Sequence, residues 1–214
     1  MERRQTVRIP VASQGWRVVL VPAGLAFLAW AVGWSGPAVL LSLVALGCLF
    51  FFRDPERTSP ALPGAIVAPA DGRIVAVEDV SDPFVGEGVR VSISLSPLDV
   101  HINRSPLGGL VTDVQYRPGR FLAAYRAQAS EANEHCVLHL QGEAARVSVT
   151  QIAGVLARRI VCRVKAGDKL QLGERFGLIC FGSRTDLVVP KGTELRVRPG
   201  DQVRAGESMI GVVV

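Results

Sequence analysis

Between Val18 and Phe52 the chain carries no charged residue, and this run constrains the fold more than any other stretch. A run so apolar must lie against lipid or inside a core, because removing apolar surface from water is the main favourable term in folding. It is interrupted near Gly33-Trp34-Ser35-Gly36-Pro37, residue types that suit a turn. Each half is about 15–17 residues, which at ~1.5 Å per residue approaches but barely reaches the ~30 Å hydrocarbon core of a bilayer. A secretory leader would have one apolar core and a small-residue cleavage site. Two halves around a turn predict instead a helical membrane hairpin, with helices at about 18–33 and 37–52. Arg3, Arg4, Arg8 and Arg17 precede the run, and Arg53 and Arg57 follow it. Basic flanks stay on the cytoplasmic side, so both ends belong there, either through two crossings or through a re-entrant dip. Residues 1–53 are thus read as an anchor in the cell (inner) membrane, with residues 54–214 on its cytoplasmic face.

The second part changes character abruptly. Pro60, Pro63 and Pro69 disfavour helix at its start. After Asp71-Gly72 come short β-rich runs punctuated by Gly, Pro and Asp: Arg73–Val77, Val89–Leu95, Leu110–Tyr116, Val137–Leu140, Arg146–Ile152, Ile160–Val164, Phe176–Phe181, Leu187–Val189, Glu194–Val197 and Met209–Val214. Short runs at such regular spacing predict a mainly β domain, a sandwich or barrel. Phe121–Asn133 reads as a short helix or an ordered loop. Residues 164–174 and 197–207 share the pattern V-x-x-G-D-x-[LV]-x-x-G-E. Each copy reads as a turn, a short strand and a second turn, which suits the half-barrels of a lipoyl-like β fold. No G-x-G-x-x-G or P-loop is present, so a nucleotide-binding fold is not indicated.

The formal charge of +5 favours an anionic partner. Aromatic residues are only 6% and no basic run is interleaved with them, so lipid head groups are preferred and no nucleic acid partner is expected. Cys48, Cys136, Cys162 and Cys180 show no C-x-x-C spacing and read as buried free thiols in a reducing compartment. The three histidines have no H-E-x-x-H or H-x-H spacing, so no metal is expected.

Three polar residues sit where chemistry could use them. Asp71 lies in the turn Ala68-Pro69-Ala70-Asp71-Gly72. His101 is flanked by apolar residues in Ser96-Pro97-Leu98-Asp99-Val100-His101-Ile102-Asn103-Arg104. Ser183 follows Gly182 at the end of an apolar strand. A carboxylate orienting an imidazole that takes a hydroxyl proton suffices to activate a nucleophile. A glycine before the serine leaves the intervening carbonyl unshielded, although Gly-Ser is also ordinary turn punctuation. Taken singly, Asp71 is as well explained as a turn residue and His101 as a satisfied core histidine. His135 and His139 share a face and read as a solvated face or core filler, and Arg158-Arg159 as surface charge.

Taken together these segments resemble one family. Phe52-Arg53-Asp54-Pro55-Glu56-Arg57, Ala68-Pro69-Ala70-Asp71-Gly72, Ser96–Arg104, Ile152-Ala153-Gly154-Val155-Leu156-Ala157-Arg158-Arg159-Ile160 and Phe181-Gly182-Ser183-Arg184 are similar, in collinear order, to the short membrane-anchored form of phosphatidylserine decarboxylase. The resemblance covers about residues 51–210 and the apolar hairpin. It implies a proenzyme that cleaves itself between Gly182 and Ser183, giving a β chain 1–182 and an α chain 183–214 that remain associated. Ser183 would attack the Gly182 carbonyl, and elimination and hydrolysis would leave a pyruvoyl group at position 183, the covalent cofactor, with loss of ammonia. Asp71 and His101 would activate Ser183. The pyruvoyl ketone would form a Schiff base with phosphatidylserine, and release of CO2 would yield phosphatidylethanolamine.

One departure stands out. The longer members carry a second histidine where this chain has Leu98, so the proton donor for decarboxylation is not assigned, with His101 and His135 as candidates. Two other readings stay open: a membrane-anchored β-sandwich adaptor or carrier domain, or a pyruvoyl decarboxylase of another amino-acid head group. A carrier needs a modifiable lysine at a hairpin tip, and Lys191 lacks the methionine neighbours usual there. Association into a homo-oligomer is also left open.

Overall fold

The computed structural model describes residues 11–121, 132–154, 160–180 and 183–213. The chain divides into two compact units, parted between Glu56 and Arg57. The first is a helical hairpin: α1 (Gly15–Ala31) and α2 (Ser35–Phe51) pack against each other across a turn at Gly33. Its open end is tied by the Ala12 N–H, which donates to the Phe52 carbonyl at 2.8 Å. Small residues line the contact: Ala26 and Ala29 of α1, Ala38 and Ala45 of α2 are buried. Most bulky ones face outward, Phe27, Trp30 and Leu40 among them, with Trp30 70% exposed, whereas Val19, Phe51 and Phe52 are buried. The helices begin two to three residues earlier than the uncharged run suggests, because a helix accommodates Arg17 in its first turn as readily as an apolar residue.

The hairpin is therefore present, but its expected bilayer crossing is not supported. Each helix has 17 residues, about 26 Å at 1.5 Å per residue against a ~30 Å hydrocarbon core. Among the described residues no helix is long and apolar enough to cross a membrane.

Among the described residues the second unit is mainly β, with its strands paired antiparallel and an isolated parallel bridge between Arg120 and Asn133. Numbered in chain order, its strands are β1 (Ala65–Val67), β2 (Gly72–Asp82), β3 (Gly86–Ser94), β4 (Ile102–Arg104), β5 (Gly109–Arg117), β6 (His135–Gly142), β7 (Arg146–Ile152), β8 (Ile160–Cys162), β9 (Lys169–Leu170), β10 (Arg175–Ile179), β11 (Arg184–Pro190), β12 (Thr193–Leu195), β13 (Gln202–Val203) and β14 (Met209–Val213). An eight-stranded sheet runs β13-β2-β3-β11-β7-β6-β5-β9, and two three-stranded sheets run β4-β10-β8 and β1-β14-β12.

The large sheet alternates as a half-buried sheet must. Val91 and Ile93, Leu187 and Val189, Val147 and Val149, and Leu138 and Leu140 turn one face inward. Ile66, Phe176 and Ile210 of the small sheets complete that core. Its two edge strands, β9 and β13, belong to the two copies of the sequence repeat. Gly173 and Gly206, the second-turn glycines of those copies, touch: a Cβ on Gly206 would lie 3.4 Å from the Gly173 Cα. The repeat thus brings the edges of a curled, half-barrel sheet together. Asp168 and Asp201 cap equivalent turns, accepting the Lys165 and Arg198 N–H groups at 2.9 Å each.

Strand existence followed the sequence closely, strand length less so. β2 continues past Val77 to Asp82 because it pairs with β3 in a long hairpin, where Asp82 Oδ1 accepts the Phe84 and Val85 N–H groups at 2.8 Å. On that outer arm Glu78 and Asp79 are exposed, so their charge is no obstacle. β1 and β4 were not foreseen: each is three residues long, fully buried, and lacks an alternating pattern. Most of the segment Phe121–Asn133, like Arg158-Arg159, lies outside the described residues.

Candidate active site

Ser183 immediately precedes β11, which is paired along its length with β3 and over its first five residues with β7. Residues 183–189 are all buried. The Ser183 carbonyl accepts the Leu95 N–H at 2.9 Å, which pins residue 183 to the end of β3. Its side chain is different. Ser183 is 1% exposed, and among the described residues its Oγ has no hydrogen-bond partner. A buried hydroxyl left unpaired costs roughly 1–3 kcal/mol, so this arrangement is not one that stability alone selects. Phe181 and Gly182 lie outside the described residues.

His101 is equally buried and sits just before β4. Its carbonyl accepts the Ile179 N–H at 3.2 Å, at the end of β10. Only three residues separate Ile179 from Ser183, and only five separate Leu95 from His101. Two short connections, each hydrogen-bonded at its ends, therefore tie His101 and Ser183 to one end of the barrel. His101 Nδ1 lies 2.9 Å from the Asp99 carbonyl oxygen. A carbonyl can only accept, so Nδ1 carries the proton and Nε2 is the basic nitrogen.

Asp71 reaches the same end by another route. A Cβ at Gly72 would collide with the Ser94 carbonyl oxygen, so the turn after Asp71 packs directly on the end of β3. The expected Asp71–His101 hydrogen bond is not formed. Asp71 Oδ2 instead pairs with Arg57 at 2.8 Å, and Oδ1 accepts the Ala205 N–H at 2.8 Å. The imidazole is oriented by a backbone carbonyl two residues away, which costs no buried charge.

A polar network joins these segments. The Pro69 carbonyl accepts the Arg104 N–H at 2.9 Å and Asn103 Nδ2 at 3.3 Å. Asn103 Nδ2 also reaches Thr185 Oγ1 at 3.2 Å, and its Oδ1 accepts from Gln151 Nε2 at 2.8 Å. Asn103, Thr185 and Gln151 are buried, on β4, β11 and β7 respectively. Beside Thr185, Arg184 and Asp186 form a buried bidentate pair at 2.8 and 2.6 Å. His135 is in register with Ile152 and, through it, with Arg184. It therefore lies on the sheet face of the Arg184–Asp186 pair and lines a cavity of about 410 Å³ there. His139 stacks on Phe84, with ring centroids 4.5 Å apart.

Asp99, Arg57 and Gln151 were missed as participants. Arg57 and Asp99 lie inside motifs already singled out, but nothing in residue type marks a backbone carbonyl as an imidazole's partner. Gln151 is an unremarkable strand residue until folding sets it against Asn103. Among the described residues no group of three or more His, Cys, Asp or Glu could hold a metal ion.

Comparison with known proteins bears directly on this arrangement. A family model described as phosphatidylserine decarboxylase matches residues 44–211, which includes Asp71, His101 and Ser183. A phosphatidylserine decarboxylase proenzyme of Symbiobacterium thermophilum is 50% identical over 204 residues, 94% of each chain. The proenzyme of Magnetococcus marinus is 43% identical over 205 residues, again 94% of each. That of Chlorobium phaeobacteroides is 46% identical over 171 residues, 79% of this chain and 80% of the relative. With a match over residues 44–211 and these relatives, the chain belongs to the phosphatidylserine decarboxylase family.

Proposed function

We propose that this chain is a self-processing enzyme that decarboxylates phosphatidylserine to phosphatidylethanolamine and CO2, using a pyruvoyl group made from Ser183. The observation that carries the reading is the buried, unpartnered Ser183 hydroxyl at the start of a strand held on both sides. Ser183 Oγ attacks the Gly182 carbonyl carbon, and the peptide C–N bond is exchanged for an ester C–O bond. His101 Nε2 takes the hydroxyl proton and returns a proton to the Ser183 nitrogen. Loss of the Ser183 α-proton then eliminates the Gly182 carboxylate, and hydrolysis releases ammonia and leaves the ketone.

The surroundings of Ser183 fit such a group. The Leu95 N–H holds the carbonyl of residue 183, so its position does not depend on the peptide bond that is broken. Segment 183–214 supplies β11, β12, β13 and β14, which pair with β3, β7, β2 and β1 of the other segment. Cleavage removes none of those ladders, so the two chains stay associated. The ketone supplies an electron sink for the pair of electrons left when CO2 departs.

Asp71 acts in this scheme as a positioning residue. Its carboxylate fastens Arg57 and Ala205 to the turn whose Pro69 carbonyl carries Asn103 and Arg104, the residues that follow His101. The helical hairpin serves as a lipid anchor: its outward Phe27, Trp30 and Leu40 bury in the interface, with Arg17 and Arg53 toward the cytoplasmic head groups. At about 26 Å the helices suit a shallow or re-entrant seat, and a full crossing requires local thinning of the bilayer.

Denaturing mass spectrometry of the purified chain tests the reading. Fragments corresponding to 1–182 and 183–214 are expected, the second carrying a pyruvoyl terminus, together with conversion of phosphatidylserine in vesicles. An intact 22.9 kDa chain that still decarboxylates phosphatidylserine would overturn it.

A further inference from the structure

The β2–β3 hairpin roofs a second cavity. In the large sheet β11 separates β3 from β7, and β6 lies beyond. Yet Ser148 of β7 donates to Asp82 Oδ1 at 3.1 Å, and Phe84 stacks on His139 of β6. The outer arm of the hairpin therefore bends back across β11 and covers the sheet face opposite the core. Arg184, Asp186 and Val188 alternate with the core residues Leu187 and Val189, and under the arm they too are buried. Between arm and sheet lies the cavity of about 410 Å³ that His135 lines, a size within the roughly 300–1,000 Å³ usual for small-molecule sites.

The carboxylates of its lining are engaged, whereas its cations have donors left over. Asp186 accepts from Arg184 through both oxygens. Asp82 Oδ1 accepts the Phe84 and Val85 N–H groups as well as the Ser148 hydroxyl. Arg90 donates from one terminal nitrogen to Glu78, but its Nε is buried and, among the described residues, has no partner. A buried donor left unpaired costs free energy that a bound acceptor recovers. Among the described residues Arg117 is hydrogen-bonded only to the neutral Gln115, at 3.2 Å. His135 Nδ1 is held by the Asn133 carbonyl at 2.7 Å, so Nε2 is the ring nitrogen left for a ligand.

We propose that this cavity binds a phosphate monoester of a short polyol. Arg90 and Arg117 stand on β3 and β5, with β11, β7 and β6 between them, so they line opposite walls. A ligand that meets both carries oxygen acceptors at two points. A phosphate monoester has a charge of about −1.5 to −2 near neutral pH and oxygens that accept strongly, and a guanidinium fork matches it. The polyol oxygens then meet the second arginine, while Val80, Val137 and Ile152 contact the carbon skeleton. A soluble ester and a lipid head group both present this chemistry. The cavity uses none of Asp71, His101 and Ser183, so the inference stands whether or not the chain cleaves itself.

Isothermal titration calorimetry of the purified full chain in detergent, corrected against detergent alone, tests the site. Glycerol 3-phosphate and dihexanoyl phosphatidic acid are separate titrants, and glycerol is the uncharged control. Saturable one-to-one binding of at least one ester is expected and none of glycerol; which ester binds identifies the source as soluble or lipid. Arg90→Met and Arg117→Met are each expected to weaken that binding about tenfold or more, the usual worth of a lost charge-assisted hydrogen bond. Arg117 is exposed, so its variant is expected to keep the ligand-free thermal midpoint of the wild type. No binding of either ester at millimolar concentration, equal binding of glycerol, or undiminished affinity in either variant would overturn the proposal.

Discussion

The two units of this chain use apolar residues in opposite ways. In the β unit, Ile66, Leu138, Phe176, Leu187 and Ile210 are buried, and buried polar residues such as Asn103 and Thr185 are hydrogen-bonded to each other. In the helical hairpin the buried residues are mostly small, with Val19, Phe51 and Phe52 the larger exceptions, and most large apolar ones face outward. Burying a large apolar side chain is worth roughly 1.5–3 kcal/mol, so the β unit is stabilised by its own interior. The hairpin leaves that free energy unrealised until something apolar covers it. One unit is organised around a site and the other around a surface, and substitutions should separate them.

The largest effect is expected at the site itself. Ser183→Ala removes both the nucleophile and the source of the pyruvoyl group, so no 183–214 fragment and only background decarboxylation are expected, with hairpin behaviour unchanged. Mass spectrometry and a vesicle assay read both sides. Next, His101→Ala is expected to slow self-cleavage by about 10²–10⁴-fold, the usual worth of a general base; cleavage at the wild-type rate would remove His101 from the role. Phe176→Ala should lower the stability of the β unit by about 3–5 kcal/mol, a large part of the ~5–15 kcal/mol typical of a domain. The matching Phe27→Ala in the hairpin should leave the β-unit denaturation midpoint where it is.

Smaller effects sharpen the other half of the contrast. Leu20→Glu with Phe27→Glu should weaken binding to anionic vesicles at least about tenfold, from the ~1.5–3 kcal/mol of each lost apolar burial, without altering self-cleavage. Unchanged flotation with vesicles would disprove the anchoring role. The smallest effect is on the outer arm of the β2–β3 hairpin, where Glu78 and Arg90 are in register. Arg90 donates to Glu78 at 2.6 Å, and this hydrogen bond and charge hold the Glu78 carboxyl below its ordinary value. A depressed carboxyl contributes stability above its unfolded value and loses it as pH falls through the folded one. Because the pair is exposed, Glu78→Gln should cost under about 1 kcal/mol near neutral pH, and the difference should vanish in acid titrations of unfolding.

Much of the architecture could be read in the residues. The alternation in Val147, Val149, Leu138 and Leu140 announces strands with one wet face, and the repeat around Gly173 and Gly206 foreshadows the paired edges of the curled sheet. The site was legible in part. Asp71, His101 and Ser183 stood out because a polar group in an apolar or tightly turned context is expensive without a purpose. Their wiring was not, because hydrogen bonds to backbone, such as His101 to the Asp99 carbonyl and Ala205 to the Asp71 carboxylate, leave no trace in residue type. β1 and β4 were invisible for a related reason: three residues are too few for a period, and their pairing comes from strands far along the chain.

The sequence alone determined the division into an uncharged hairpin and a β-rich unit, the Gly182-Ser183 pair, and the family to which its motifs are similar, since these depend on composition and local order. Tertiary structure decided what long-range contact controls. It fixed the lengths of the helices against a bilayer, the Arg57–Asp71 pairing in place of Asp71–His101, and the isolation of the Ser183 hydroxyl. A side chain's partner depends on which distant backbone packs beside it, and only the folded chain specifies that.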